Sequence, residues 1–271
     1  MTSPQSSLVA TLQSADFEVV DLSATIATSP PEVGEWQRTD LVYRDHEGGA
    51  VEMEERFGVP RRLLRNEQGP AVEHITKLTT HNTTHIDAPF HYNSEIQGAP
   101  ARTIDELPLE WFVGPGVVLD VVGRPEDEPL SVDDVVQALE KAEHELKPGD
   151  IVLVKTGSDE FYSQPDYPSH GPGVSPEATL WLYDKGIRLV GIDAWGWDAA
   201  IAKQAAIAVP EDKPGIVWGA HQIDREYAQI ERLVNLGSLP LTGFTVVCMP
   251  LKIERGSAGP TRAVAIVPKQ S

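Results

Sequence analysis

One stretch of the chain decides its fold class: Ser175-Pro-Glu-Ala-Thr-Leu-Trp-Leu-Tyr-Asp-Lys-Gly186-Ile-Arg-Leu-Val-Gly-Ile192. Ser175 is typical of a helix N-cap, Pro176 suits the first helical position, and Gly186 can end the helix in the left-handed region. The apolar run after this helix and the earlier run Ile151-Val-Leu-Val154 are typical of buried strands. A strand, a helix and a strand in this order predict an α/β layer packed on a sheet.

Cap residues and apolar runs also predict a second helix and other strands. A helix is predicted from Ser131 to Lys141, because Ser131 can cap it, acidic residues occupy its first turn and apolar residues recur at helical spacing. Runs rich in Val and Ile define the strand after the helix as 188–192 and predict further buried strands at 116–122, 245–248 and 263–267. The length of 271 residues fits one large domain or two small ones.

The composition excludes several kinds of partner. The chain has 22 Lys+Arg and 41 Asp+Glu, a net charge of −19, so it lacks the basic surplus that lines nucleic-acid phosphates or an anionic membrane. Its single cysteine, Cys248, excludes an intramolecular disulfide and a Cys-based zinc cluster. Neither a signal peptide nor a bilayer-spanning stretch is recognised. We therefore expect a cytoplasmic protein that binds neither nucleic acid nor membrane.

Two segments stand apart from the predicted core. Residues 1–18 are expected to form a loose N-terminal arm, and residues 19–271 to form one domain. Segment 36–70 is dense in charge and contains Gly48-Gly49 and Gly69-Pro70, so it is predicted to be irregular. Long irregular stretches in compact domains are often functional, and we expect a lid or a dimer-contact arm here.

A histidine-rich motif carries the candidate chemistry: His81-Asn-Thr-Thr-His85-Ile-Asp87-Ala-Pro-Phe-His91. The preceding residues are β-prone, and an extended strand would place these four odd-numbered residues on one face. Pro89 must then bend the chain near His91. Two imidazoles and a carboxylate, completed by water, suit Zn²⁺, Mn²⁺ or Fe²⁺. The alternative is a surface strand with coincidental histidines, but buried charges on one face would be costly without an ion.

This donor set predicts a chemical role for each residue. A Lewis-acidic ion lowers the pKa of a bound water, which gives a hydroxide nucleophile without Ser or Cys. The unperturbed pKa of a histidine lies near the working pH, so His91 is the candidate that moves the proton.

The motif resembles the signature of the cyclase family of metal-dependent hydrolases, which includes bacterial kynurenine formamidases and isatin hydrolases. The family pattern is His-x-Gly-Thr-His-x-Asp-x-Pro-x-His, and this chain departs from it at Thr83, where Gly is usual. The expected roles of that glycine are a tight backbone conformation or room beside the metal. Segments 21–31, 190–194 and 251–262 are also similar to the family, so the resemblance runs from about Val19 to Val267.

The resemblance implies a site, a fold and an assembly. The family residues that match His81, His85 and Asp87 bind the metal, and the one that matches His91 is the acid/base. His221 and Glu231 match a second element that completes the site or holds a second ion, with Asp87 as the bridge. Zn²⁺ or Mn²⁺, one or two ions, a swivelling β/β/α-type single domain with a mixed central sheet, and a homodimer or homotetramer are implied as well.

Three further residues are predicted to bind the substrate. Asp193 follows a predicted strand at its carboxyl end, where α/β folds place ligands, although a carboxylate there can equally cap a turn. Trp195 and Trp197 can wall a flat cyclic substrate, with plain packing as the alternative.

These observations predict a metal-dependent amidohydrolase. It would cleave a C–N amide bond in a cyclic amide or imide, or in an N-acyl aromatic compound, and release a carboxylate. An arylformamidase of the N-formylkynurenine type is one alternative. A metal-dependent lyase or cyclase with His91 as the base is another, and a non-catalytic binding protein is a third.

Overall fold

The computed structural model of the chain describes residues 17–269, so residues 1–16 of the predicted arm lie outside the described residues. Phe17 and Glu18, which the arm was expected to include, begin the first strand. The described residues form two compact units. The larger unit contains 17–24 and 83–269, and the smaller unit is Thr25–Asn82. One domain from residue 19 onward stays a prediction.

The described residues form thirteen strands and five α-helices, besides several 3₁₀ turns. The strands are β1 (Phe17–Asp21), β2 (Asp40–Arg44), β3 (Val72–Lys77), β4 (His85–Asp87), β5 (Glu95–Ile96), β6 (Ala99–Pro100), β7 (Val113–Asp120), β8 (Ile151–Lys155), β9 (Leu189–Ile192), β10 (Ala228–Glu231), β11 (Phe244–Val247), β12 (Ala258–Pro260) and β13 (Val264–Pro268). The helices are α1 (His46–Phe57), α2 (Pro89–Tyr92), α3 (Val132–Lys141), α4 (Pro176–Asp184) and α5 (Ile201–Glu211). Among residues 17–269, no helix has the length and apolar character needed to span a bilayer.

Nine strands of the larger unit form one mixed sheet. Their order is β1-β13-β11-β7-β8-β9-β10-β4-β12. The central strands β7, β8, β9 and β10 run parallel, whereas the flanking strands pair antiparallel on both sides. The five strands predicted from runs rich in Val and Ile all lie in this sheet, so the predicted α/β class and the mixed central sheet are confirmed.

The two predicted helices are confirmed together with their caps. The Ser131 hydroxyl accepts a hydrogen bond from the Asp134 N–H, and the Asp134 carboxylate accepts one from the Ser131 N–H, which forms a capping box. Ser175 caps α4 by accepting from the Ala178 N–H. Gly186, at φ +91°, follows the end of α4 in the left-handed region.

The central sheet is buried on both faces. In β8, Val152 and Val154 belong to one apolar cluster, whereas Ile151 and Leu153 belong to another. Successive side chains of a strand point to opposite faces, so the two clusters lie on the two sides of the sheet. A strand covered on both faces is a continuous apolar run, which is why its sequence is readable as a buried strand.

Segment 36–70 is not irregular, and that prediction is wrong. It contains β2 and the 12-residue helix α1, which Asp45 caps at its start and Gly58, at φ +65°, closes at its end. In the same unit, β2 pairs antiparallel with β3. The predicted role of this segment as a lid or dimer-contact arm stays a prediction.

The glycines of this segment permit a close approach of two backbones. Gly49 lies inside α1, where a Cβ atom would stand 2.0 Å from the carbonyl oxygen of Pro70. A Cβ atom on Gly69 would stand 2.2 Å from the carbonyl carbon of Gly49. Gly49 and Gly69 are needed here because a Cβ atom on either would overlap the facing backbone, so the glycines of this segment do not indicate a loop.

Candidate metal centre

The odd-numbered spacing of the histidine-rich motif predicts one extended strand, but the motif does not form one. His81 lies in a turn, and only His85–Asp87 are extended as β4. Pro89 begins α2, and His91 lies on that short helix. Between His81 and His85, Thr83 adopts the left-handed conformation at φ +57°, which breaks the period of two. The prediction of a single strand face is therefore wrong.

The larger unit contains most of the predicted site. His81 belongs to the smaller unit and precedes the boundary at Thr83 by two residues. The predicted residues that the larger unit brings together are His85, Asp87, His91, His221 and Glu231.

Strand pairing places two of these side chains opposite each other. β4 lies between β10 and β12 and pairs antiparallel with both. In the pairing with β10, His85 stands opposite Glu231. Residues directly opposite in an antiparallel pair project to the same face, so the imidazole and the carboxylate meet.

Asp87 lies at the centre of the cluster. Its Oδ1 atom is 3.2 Å from His85 Nε2, and its Oδ2 atom is 3.9 Å from both His91 Nε2 and His221 Nε2. Glu231 lies 3.6 Å from His85 Nε2 through Oε2 and 3.4 Å from His221 Nε2 through Oε1. The two carboxylates therefore face the same pair of imidazoles.

The hydrogen bond of His85 fixes which ring nitrogen faces the carboxylates. His85 Nδ1 lies 2.9 Å from the carbonyl oxygen of Thr83. A carbonyl oxygen only accepts, so Nδ1 carries the hydrogen in this bond. The Nε2 atom is directed at Asp87 and Glu231, an arrangement common among metal-binding histidines.

Asp198 orients His221 in the same manner, and sequence reasoning did not identify this role. Its Oδ2 atom accepts from His221 Nδ1 at 2.5 Å and from the His221 N–H at 2.9 Å. Its Oδ1 atom accepts from the Ala220 N–H at 3.0 Å. Burial acts to lower the pKa of His221, but the hydrogen bonds to the carboxylates of Asp198 and Glu231 outweigh burial and raise this pKa to about 10. The signal in the sequence was only that Asp198 follows Trp197.

His91 stands at the open side of the cluster. Its side chain is 21% exposed, whereas those of His85 and Asp87 are fully buried. The ring lies 5.3 Å from the Trp218 ring and 6.1 Å from the His221 ring. His91 is thus both near the buried carboxylates and reachable by solvent.

The donor set fits a divalent metal ion. Imidazole nitrogens and carboxylate oxygens are ligands that Zn²⁺ and Mn²⁺ accept, and the ligand atoms of His85, Asp87 and Glu231 lie within 4.8 Å of one another. Asp87 and Glu231 are 0% and 6% exposed, and buried carboxylates need a nearby positive charge. The cluster therefore has His and carboxylate groups suited to a metal ion, whereas its assignment as the metal ligands stays a prediction.

Comparisons with known proteins show which family the chain belongs to. Residues 20–199 match the family model described as "Putative cyclase". The chain belongs to the cyclase family. It is 31% identical over 204 residues to an isatin hydrolase of Roseibium aggregatum, which covers 71% of this chain and 73% of the relative. It is 32% identical over 188 residues to a kynurenine formamidase of Salinibacter ruber, which covers 69% and 76%.

A solved structure extends the family likeness to nearly the whole chain. Isatin hydrolase A from Labrenzia aggregata, bound to benzyl benzoate, superposes with a TM-score of 0.74 at 28% identity. The match covers 98% of this chain and 100% of that chain. The predicted family and its mixed α/β fold are confirmed, and the named relatives are hydrolases, as predicted.

Asp193 holds the loop that follows β8. Its carboxylate oxygens accept from the N–H groups of Thr156 and Gly157 at 2.9–3.0 Å and from the Thr156 hydroxyl at 2.5 Å. Burial raises the pKa of Asp193 to about 6, and these hydrogen bonds act in the opposite direction. The contacts match the turn-capping alternative, and substrate binding by Asp193 stays a prediction.

The two tryptophans differ in their surroundings. Trp197 is fully buried, its indole N–H donates to the Thr179 hydroxyl, and its backbone N–H donates to Glu231 Oε1 at 2.9 Å. Trp195 is partly exposed and lies against the guanidinium of Arg232. Trp197 therefore packs in the core and positions Glu231, whereas part of Trp195 is accessible at the surface.

Substitutions at Thr83 test the reason for the family glycine. At φ +57°, glycine alone avoids a steric cost of about 1–2 kcal/mol. We expect Thr83→Gly to be more stable than Thr83→Ala by about 1 kcal/mol in denaturant unfolding, because both variants lose the hydroxyl and only Ala keeps the strain.

The matched control is Gln137, an exposed residue inside α3. There the order must reverse, with Gln137→Ala more stable than Gln137→Gly by about 1 kcal/mol. A Thr83→Ala variant as stable as Thr83→Gly would show that the backbone conformation is not the constraint at this position.

Proposed function

We propose that this chain is a metal-dependent hydrolase that cleaves the C–N bond of a cyclic amide or imide and releases a carboxylate. The observation that supports it is the buried cluster of His85, Asp87, His221 and Glu231 with the partly exposed His91 beside it. His81 is proposed as the further metal ligand, on the motif alone. Membership of a family whose named relatives include an isatin hydrolase supports the substrate class.

The cluster assigns separate tasks to its residues. A divalent ion, when bound, supplies a Lewis acid and lowers the pKa of water. His85 and His221 present their Nε2 atoms to the centre because Thr83 and Asp198 hold the opposite ring nitrogens. His91 takes the proton released when water adds to the amide carbonyl carbon, and returns it to the nitrogen as the C–N bond breaks.

Two other reactions remain as alternative proposals. An arylformamidase would use the same residues on an N-formyl aromatic amine, and a relative named kynurenine formamidase favours it. A lyase or cyclase would use His91 as a base on a carbon acid. For any of the three, Trp195, Trp197 and Asp193 stay the proposed substrate-binding residues.

The remaining features belong to the same proposal. Zn²⁺ or Mn²⁺ is the proposed metal, with one or two ions and Asp87 as the bridge, since its two oxygens face different imidazoles. We propose a homodimer or homotetramer in the cytoplasm that acts on a small molecule. The net charge of −19 supports the absence of nucleic-acid and membrane partners.

Turnover in ¹⁸O-labelled water tests the reaction. Metal-loaded protein is incubated with isatin and with N-formylkynurenine, and we expect faster turnover of isatin with one ¹⁸O atom in the product carboxylate. His91→Ala should lower kcat by about 10²–10⁴-fold while the metal content, measured by ICP-MS, stays unchanged.

The control for this variant is His74→Ala, because His74 is exposed on β3. It should keep full turnover. A product without the label would contradict hydrolysis, and undiminished turnover by His91→Ala would contradict the proton-transfer role of His91.

Asp198→Asn tests whether Asp198 positions His221 for the metal. The amide cannot reproduce the charged acceptor at His221 Nδ1, so we expect metal affinity to fall about 10–100-fold. Titration of the metal-free protein measures this without any substrate. Asp184→Asn, at the exposed end of α4, is the control and should leave the affinity unchanged. If Asp198→Asn binds the metal as tightly as the original chain does, Asp198 supports only the backbone and does not position His221 for the metal.

A further inference from the structure

Three neighbouring parallel strands end at the edge of the sheet where β10 carries Glu231. β8, β9 and β10 are adjacent and parallel in the sheet. Tyr162 lies in the segment after β8, Trp195 in the segment after β9, and Arg232 directly follows β10. Ligands of α/β proteins bind in the crevice at the carboxyl ends of such strands. The topology therefore places Trp195 and Arg232 where a substrate is expected to lie.

The backbone of Arg232 is held in an uncommon conformation. Its φ of +59° lies in the left-handed region that residues with a Cβ atom rarely adopt. Its N–H donates to the carbonyl of Ala194 at 3.1 Å, and its own carbonyl accepts from the Thr84 hydroxyl at 2.6 Å. Strained conformations that the surroundings maintain in this way cluster at functional sites.

Glu231 and Arg232 hold opposite ends of the loop Trp195–Trp197. Glu231 Oε1 accepts from the Trp197 N–H at 2.9 Å, and Arg232 Nε donates to the Trp195 carbonyl at 3.5 Å. The guanidinium carbon of Arg232 lies 4.9 Å from the centre of the Trp195 ring, within range of a cation–π interaction. One short loop thus connects a proposed metal ligand with a guanidinium stacked on an indole.

We propose that Arg232 and Trp195 form a subsite that binds the carboxylate and the flat ring of an aromatic acid. This inference rests on the proposed function, because amide hydrolysis in a cyclic aromatic substrate leaves such an acid in the site. A planar guanidinium matches the two oxygens of a carboxylate, and a tryptophan face stacks on an aromatic ring.

The charge of the chain gives this guanidinium a specific task. An anionic product is repelled by a protein that carries a net charge of −19, so a local cation is needed to bind it. Arg232 is only 7% exposed, and water and salt screen a buried cation less than a surface one. Its charge also reaches the segment after β8, since it acts to lower the pKa of Tyr162 that burial raises.

Benzoate and benzamide are suitable probes, because they share a ring and a size and differ in charge. Calorimetric titration of the metal-loaded protein with each compound gives the ratio of their Kd values. We expect the original chain to prefer benzoate. Arg232→Met should weaken benzoate binding about tenfold and leave benzamide binding and metal content unchanged. Arg232→Lys should be intermediate, because it keeps the charge and loses the planar fork.

The matched control removes a similar contact elsewhere. Arg188 stacks on Tyr183, 3.9 Å from the ring centre, at the opposite end of β9. Arg188→Met should change neither affinity.

Several results would overturn the subsite. If Arg232 only holds the loop, benzoate and benzamide binding fall together in Arg232→Met. If the metal alone selects the anion, the ratio of Kd values stays unchanged. An original chain without a preference for benzoate also overturns the proposal, and Arg232→Lys decides by the same ratio if Arg232→Met does not fold. Binding needs no turnover, so a preference for benzoate that depends on Arg232, in a protein that hydrolyses no amide, would reject the proposed function and keep the subsite.

Discussion

Two carboxylates buried beside two imidazoles are the constraint on which the larger unit depends. Asp87 and Glu231 are almost completely removed from water, and each faces both His85 and His221. Like charges at such depth are costly, because the protein interior neither hydrates nor screens them as water does. A divalent cation offsets this cost, and the imidazoles complete its ligand set.

The groups that surround these donors define the geometry of the site. The donors come from distant parts of the chain and meet only because β4 pairs with β10 inside the sheet. The carbonyl of Thr83 orients His85, the carboxylate of Asp198 orients His221, and the backbone of Trp197 holds Glu231. The loop that carries Asp198 and Trp197 therefore supports the centre from outside, and the same loop presents Trp195.

The features that could be predicted from the sequence are those caused by runs of consecutive residues. β7 and β8 were readable because both of their faces are apolar, whereas β10 was missed because its buried positions include Gln229 and Glu231. The histidine-rich motif pointed to a consistent set of residues, but the geometric argument used for it was wrong. His81 and His85 are separated by a left-handed turn at Thr83 and do not belong to one strand with a period of two. The helix in segment 36–70 has local cap signals at Asp45 and Gly58, but Gly48-Gly49 and Gly69-Pro70 favoured a loop, and the reason for Gly49 and Gly69 is a close approach of two backbones that only the fold shows. The role of Asp198 likewise depends on a tertiary contact, its hydrogen bond with His221.

The dependence of stability on metal tests the central claim most directly. Thermal unfolding is compared for the original chain and for the Asp87→Asn/Glu231→Gln double variant, each with and without Mn²⁺ or Zn²⁺. The account predicts that the ion raises the Tm of the original chain, and that the metal-free variant is at least as stable as the metal-free original and no longer responds to the ion. An original chain whose Tm ignores the metal, or a metal-free variant that melts below the metal-free original, would contradict it.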